Sequence, residues 1–247
     1  MTLAGFSRAL VTGATSGIGA VTVQMLRAEG IDVLAVARRT DKLTALAEKT
    51  GCRQVALDVR KTAELGDRIA AFEPDIVVNN AGVGHGVTGI DQVGPDEISL
   101  AIETNLIAPL QITARALETM RRHSHGHIVN IGSIAGLHTM LSAVYGASKA
   151  AIHRFSQNLR YELRGTGIRV TEICPGRVTT EFYDAASGNK QQLEQVKHSG
   201  IEELQPEDVA NAILFALQAP PHVNISTIEI LPTEQSVGGV VMTPTAR

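Results

Sequence analysis

Cysteine is scarce in this 247-residue chain, which has only Cys52 and Cys174. The two stand far apart among apolar neighbours, so they read as small buried hydrophobes in a reducing compartment and not as a disulfide or a metal site. A single α/β domain of roughly 200–250 residues buries enough surface to need no such staple. Blocks of like charge are missing too, and the formal net charge is −3. That leaves no electrostatic footprint for nucleic acid or an anionic membrane. No apolar run approaches the ~20 residues of a membrane-spanning helix. No basic stretch leads into a long apolar one near the amino terminus, so a signal peptide is not expected and the cytoplasm is the expected location. Metal-binding motifs, internal repeats, linkers and low-complexity tracts are likewise absent from the pattern. Residues 1–247 read as one domain with no metal.

What the chain does have is a regular alternation of short β-branched runs and longer amphipathic stretches. That is the signature of a parallel sheet covered on both faces. The patterning predicts strands at 8–12, 32–37, 54–57, 75–78, 127–131, 169–173 and 227–230. It predicts helices at 17–26, 42–49, 63–72, 144–164 and 206–217. A further long helix is expected over 96–121, in two parts around Asn105 and Pro109.

Between the first strand and first helix lies Thr12-Gly13-Ala14-Thr15-Ser16-Gly17-Ile18-Gly19. Gly13 can turn tightly, Gly17 lets the backbone approach a pyrophosphate, and Gly19 allows close packing of helix on strand. Helix-start N–H groups and the positive end of the helix dipole would then face the anion. Glycine-rich turns also occur without a ligand, so the loop by itself is suggestive only. The end of the second strand adds a selection rule. A carboxylate there would hold an adenosine ribose and repel a 2′-phosphate, whereas this chain has Ala37-Arg38-Arg39. Two guanidiniums favour a phosphate, so NADP is the expected cofactor and NAD the alternative. Arg39 is the more plausible of the two as a mere loop cap.

Tyr145 and Lys149 stand four residues apart, which puts both on one helix face. An ammonium beside a phenol favours phenolate, so Tyr145 would exchange a proton with a carbonyl or alcohol oxygen. Ser133, at the end of the fifth strand, would hydrogen-bond the same oxygen. A Tyr–Lys pair at helical spacing is more often a surface pair. Its order relative to the glycine loop, at the carboxyl ends of strands where open α/β sheets bind ligands, gives it weight.

Taken in order, the glycine loop, Asp58-Val59, Asn79-Asn80-Ala81-Gly82, Asn105, Ser133, Tyr145 with Lys149, and Pro175-Gly176-Arg177-Val178-Thr179-Thr180 span nearly the whole chain. In this the sequence resembles the short-chain dehydrogenase/reductase family in its compact form. The resemblance implies a Rossmann-type doubly wound α/β fold, with about seven parallel strands in the order 3-2-1-4-5-6-7 and helices on both faces. It implies cofactor contacts from Gly13, Thr15, Ser16, Gly17, Ile18 and Gly19, and NADP preference from Arg38, beside which Arg39 stands as a further cofactor contact. Asp58 and Val59 would flank the adenine, and Asn80, Ala81 and Gly82 the adenosine. Lys149 would also hold the nicotinamide ribose beside Tyr145. Asn105 would anchor a proton-relaying water, and Pro175, Gly176, Val178 and Thr180 would hold the carboxamide end. Hydride transfer on the pro-S face is implied as well. Ser16 departs from the pattern, since many NADP-preferring members carry a basic residue there.

The resemblance implies an oxidoreductase acting on a small aldehyde, ketone or 3-hydroxy acid. Substrate contacts would come from His85, His138, Met140 and Arg177, beneath a short lid around 180–204. The closing segment, Ile228 to Ser236, resembles members acting on small 3-hydroxy acids or short alcohols. Val240-Val241-Met242 is apolar enough to pack on another subunit, and a homotetramer (or a dimer) is expected. A nicotinamide-dependent epimerase or dehydratase would need a longer carboxyl-terminal region. A non-catalytic NADP sensor would be expected to lack one of Ser133, Tyr145 or Lys149.

Overall fold

Each short β-branched run alternates its side chains between two faces, and burying both faces requires helices above and below. The computed structural model, which describes residues 3, 5–84, 89–140, 142–182 and 200–237, has that architecture. Its strands are β1 (Arg8–Thr12), β2 (Asp32–Ala37), β3 (Arg53–Ala56), β4 (Ile76–Asn79), β5 (Gly126–Ile131), β6 (Ile168–Pro175) and β7 (Thr227–Ile230). They form one sheet in the order β3-β2-β1-β4-β5-β6-β7, every neighbouring pair parallel. The order reverses between β1 and β4, which opens a crevice at the carboxyl ends of those two strands.

The main helices are α1 (Gly17–Ala28), α2 (Thr40–Thr50), α3 (Thr62–Phe72), α4 (Pro95–Ile102), α5 (Ala108–His123), the short α6 (Ile134–Leu137), α7 (Ala143–Glu162) and α8 (Pro206–Gln218). Two cores result. Ala9, Val11, Val33 and Ala35 face Val23 and Leu26 of α1, Leu43 of α2, and Ile213 of α8. The intervening Leu10, Leu34, Val36 and Ile128 face Ile69 of α3, Ile112 and Met120 of α5, and Leu159 of α7. Each fully buried Leu or Ile contributes roughly 1.5–3 kcal/mol of transfer free energy.

Most boundaries fall within two residues of the sequence expectation. The long helix over 96–121 is interrupted, as expected, by a π turn over Glu103–Ile107 between α4 and α5. The widening is centred on Asn105, and Pro109 rides in the first turn of α5. Pro109 has no N–H, so the α-type bond to the Asn105 carbonyl four residues earlier cannot form. The buried Asn105 amide instead turns inward, accepting from Val83 N at 2.8 Å and donating to Val83 O at 3.0 Å and Ser148 Oγ at 3.1 Å. Single π turns of this kind concentrate at functional sites.

His85, most of the expected lid (183–199) and the apolar Val240-Val241-Met242 stretch lie outside the described residues. Among the described residues no helix is long and apolar enough to cross a membrane.

Candidate active site

The loop between β1 and α1 is compressed to a degree that only glycine permits. Gly13 has φ +66°, and a Cβ there would lie 2.8 Å from Asn80 Nδ2. A Cβ on Gly19 would collide with the Gly13 carbonyl oxygen. Thr12, unnoticed as a functional residue in the sequence, locks the loop to the end of β4. Its hydroxyl accepts from Asn80 N at 3.1 Å and Ala81 N at 3.0 Å, while Asn80 Nδ2 donates to Thr12 O at 2.9 Å. Ser16 precedes α1 without a side-chain capping bond, and the first turn has no acidic residue. Unpaired helix-start N–H groups, a positive dipole end and side-chain-free backbone are what a dinucleotide pyrophosphate requires. The residues fit that group.

At the end of β2 the two arginines have different surroundings. Arg38 is exposed, and its charge helps to hold Asp58 as carboxylate, behind the larger effect of hydrogen bonds from Arg60. Arg39 is the one that folds over the glycine loop. Its Nε reaches Thr15 Oγ1 at 3.2 Å, and its Nη2 reaches Thr15 Oγ1 at 3.1 Å and Ser16 Oγ at 2.7 Å. Its Nη1 pairs with Glu181, which also accepts from Lys42 Nζ at 2.7 Å. These two cations, by hydrogen bonding, hold the Glu181 carboxyl down to about 2. Neither Lys42 nor Glu181 stood out in the sequence. Glu181 is 142 residues from Arg39, and no local pattern reports such a pair.

Around the ends of β5 and β6 the proton-handling groups converge. Ser133 caps the short α6 with a hydroxyl that accepts from Ala135 N at 3.1 Å. A hydroxyl that accepts still has its own hydrogen to donate. Lys149 is buried, donates to Ile131 O at 2.7 Å, and lies 5.8 Å from the centre of the Tyr145 ring. The expected shared face of α7 is therefore present. Burial lowers the Lys149 ammonium from 10.5 to about 8, while the negative charge of Glu172 works to keep its proton on. Asn105 stitches this region together, since Ser148 Oγ, its partner, donates in turn to Tyr145 O at 2.7 Å. On the far side Phe182 meets Tyr145 edge-on, with centroids 5.5 Å apart.

Beneath these groups lies a polar set that the sequence did not reveal. Glu172 is fully buried on β6, and its carboxylate binds His153 Nδ1 at 2.6 Å. The ligand-capable atoms of His153, Glu172 and Cys174 all lie within 4.8 Å of one another. Cys174, expected as an apolar filler, is buried and unpaired in any disulfide. Burial first, and then the Glu172 charge, push its thiol far above the ordinary range. It therefore stays protonated.

The expected substrate contacts are less concentrated. Arg177 Nε pairs with Glu203 at 2.8 Å, and His138 Nε2 meets Glu229 of β7 at 2.8 Å. Both side chains thus already have an acidic partner within the chain. Met140 is exposed. Gly176 donates to Ile230 O at 2.8 Å, and Val178 pairs in parallel with Leu204, so the 175–180 segment runs over the ends of β6 and β7.

These elements bring a dinucleotide cradle and the Ser133, Tyr145 and Lys149 side chains to the carboxyl ends of the strands, as in a nicotinamide-dependent oxidoreductase. The profile of the short chain dehydrogenase family matches residues 7–191. A serine 3-dehydrogenase from Agrobacterium fabrum is 35% identical over 238 residues, covering 93% of this chain and 95% of that protein. An NADP-dependent 3-hydroxy acid dehydrogenase from Escherichia coli is 36% identical over 240 residues, covering 94% and 97%. Among solved structures, the closed form of serine dehydrogenase complexed with NADP+ matches with a TM-score of 0.91 at 35% identity, covering 96% of this chain and 100% of that one. The chain belongs to the short-chain dehydrogenase family. It is an oxidoreductase acting on CH–OH groups.

Proposed function

We propose that this protein interconverts the hydroxyl on the β-carbon of a small 3-hydroxy acid and the corresponding carbonyl, with NADP as cofactor. Support for the cofactor comes from Arg39 folded over the glycine loop, and from relatives whose names carry NADP. Support for the substrate class comes from the two related dehydrogenases, since serine also carries its hydroxyl on the β-carbon of an acid. The observation that carries the chemistry is the buried Lys149 ammonium set behind the Tyr145 ring.

Gly13, Gly17, Gly19 and the start of α1 would hold the pyrophosphate, Arg39 with Lys42 the 2′-phosphate, and Lys149 the nicotinamide ribose. Bound NADP supplies the hydride acceptor, or NADPH the donor. Tyr145 Oη takes the hydroxyl proton in oxidation and gives it back in reduction, and the Lys149 charge stabilises the phenolate form. Ser133 Oγ–H donates to the substrate oxygen and fixes it beside Tyr145. The Asn105 side chain is committed to Val83 and Ser148, so its part in proton supply falls to its main-chain carbonyl, which Pro109 leaves without an α-type partner. That Ser133, Tyr145 and Lys149 are all three retained favours catalysis over a non-catalytic sensor. A single domain with a short lid, acting as a cytoplasmic homotetramer, completes the proposal.

The test follows NADPH absorbance with a panel of small aldehydes, ketones and 3-oxo acids. Tyr145→Phe should lose about a hundred- to ten-thousand-fold in kcat, the range of general acid–base catalysis, while still binding NADPH. Full turnover in that variant overturns the role of Tyr145. Activity confined to simple aldehydes overturns the substrate class.

A further inference from the structure

An arginine is a planar fork of five N–H donors. In Arg39 the Nε and Nη2 edges are directed to the Thr15 and Ser16 hydroxyls of the glycine loop. The remaining Nη1 engages one oxygen of Glu181, and Lys42 Nζ binds the other at 2.7 Å. A pair of anionic oxygens bridging a guanidinium and an ammonium beside a nucleotide loop is the arrangement that a phosphate monoester would adopt there. Glu181 is held in that position from both sides in the chain. A Cβ on Gly17 would lie 2.7 Å from the Thr180 methyl group, so Thr180 rests against the loop, and the Phe182 ring packs on Tyr145. Anchoring both neighbours gives the carboxylate a high local concentration at Arg39. A phosphate and this carboxylate cannot share the two cations, because like charges at contact repel.

We propose that Glu181 is an intramolecular stand-in for the adenosine 2′-phosphate, competing with the phosphorylated cofactor, but not with its unphosphorylated counterpart, for Arg39 and Lys42. The proposal rests on the reading of Arg39 as the phosphate-binding residue. It makes Glu181 a determinant of cofactor selectivity that acts by occupying the site, so its removal strengthens the discrimination that the arginine provides. Glu181 is partly exposed, its side chain 46% accessible, and substitution there should leave the fold intact.

Calorimetric titration with adenosine 2′,5′-bisphosphate and with adenosine 5′-monophosphate isolates the phosphate in question without any turnover. Glu181→Gln should bind the bisphosphate about three- to tenfold more tightly than the wild type, the range set by loss of exposed ion pairs, and the monophosphate equally well. Unchanged affinity for the bisphosphate, or equal tightening for both nucleotides, overturns the proposal. Arg39→Gln separates the two layers of reasoning, since it should weaken the bisphosphate about tenfold or more and spare the monophosphate. If Arg39→Gln leaves the bisphosphate unaffected, the phosphate-site reading falls and the stand-in with it. If it weakens the bisphosphate while Glu181→Gln changes nothing, the stand-in alone is refuted.

Discussion

Replacing Lys149 by methionine should abolish turnover and at the same time stabilise the protein near neutral pH. The ammonium is buried and lowered from 10.5 to about 8. At 1.36 kcal/mol per pH unit, keeping it charged inside the fold costs roughly 3 kcal/mol at pH 7. Methionine has a similar reach and no charge, but it forfeits the bond to Ile131 O, a loss of about 1 kcal/mol. The net expectation is a variant more stable by about 2 kcal/mol at pH 7. Its pH dependence gives a sharper test. The unfolded chain holds this proton up to about 10.5 and the folded one only to about 8, so wild-type stability rises with pH across that window. The advantage of Lys149→Met should therefore shrink by roughly 2 kcal/mol between pH 7 and 9.5. Urea unfolding of both proteins at the two pH values measures it. A variant destabilised at pH 7, with a gap that does not move with pH, would refute the reasoning. Glu172→Gln is the companion measurement. It removes a negative charge that helps Lys149 to keep its proton, so the alkaline limb of kcat/KM should move to lower pH. An unmoved limb excludes Glu172 from that role.

Two further expectations concern the cradle and the assembly. Gly19→Ala would place a methyl group against the Gly13 carbonyl and the Asn80 amide. It should lower stability by about 1–3 kcal/mol and weaken both NADPH and NADH, as read by chemical unfolding and nucleotide titration; unchanged binding of both would show that the loop yields at no cost. The homotetramer is checked by light scattering at micromolar concentration, where a mass near the 26.2 kDa of one chain would exclude it.

Much of the architecture was legible because it depends on local periodicity. Alternating β-branched runs and amphipathic stretches announce parallel strands with helices on both faces, and the observed strands depart from expectation by a residue or two at most. Tyr145 and Lys149 were legible for the same reason, since spacing on one helix is a local property. Even the break at Asn105 left a trace, in a proline four residues on that cannot supply an amide hydrogen.

Residue order alone reports the groups whose partners lie within one element or one turn: the glycine loop, the helical Tyr–Lys pair, the serine ending a strand. Folding in three dimensions settled which arginine covers the loop, that Glu181 neutralises it, and that Glu172 and His153 lie near the active-site lysine. It also paired Arg177 with Glu203 and His138 with Glu229, where spacing alone had left both side chains open to substrate. The physical reason is the range of the interactions. Hydrogen bonds and ion pairs require contact within a few ångströms, and between residues from 19 to 142 positions apart that contact is created by the order in which seven strands lie side by side.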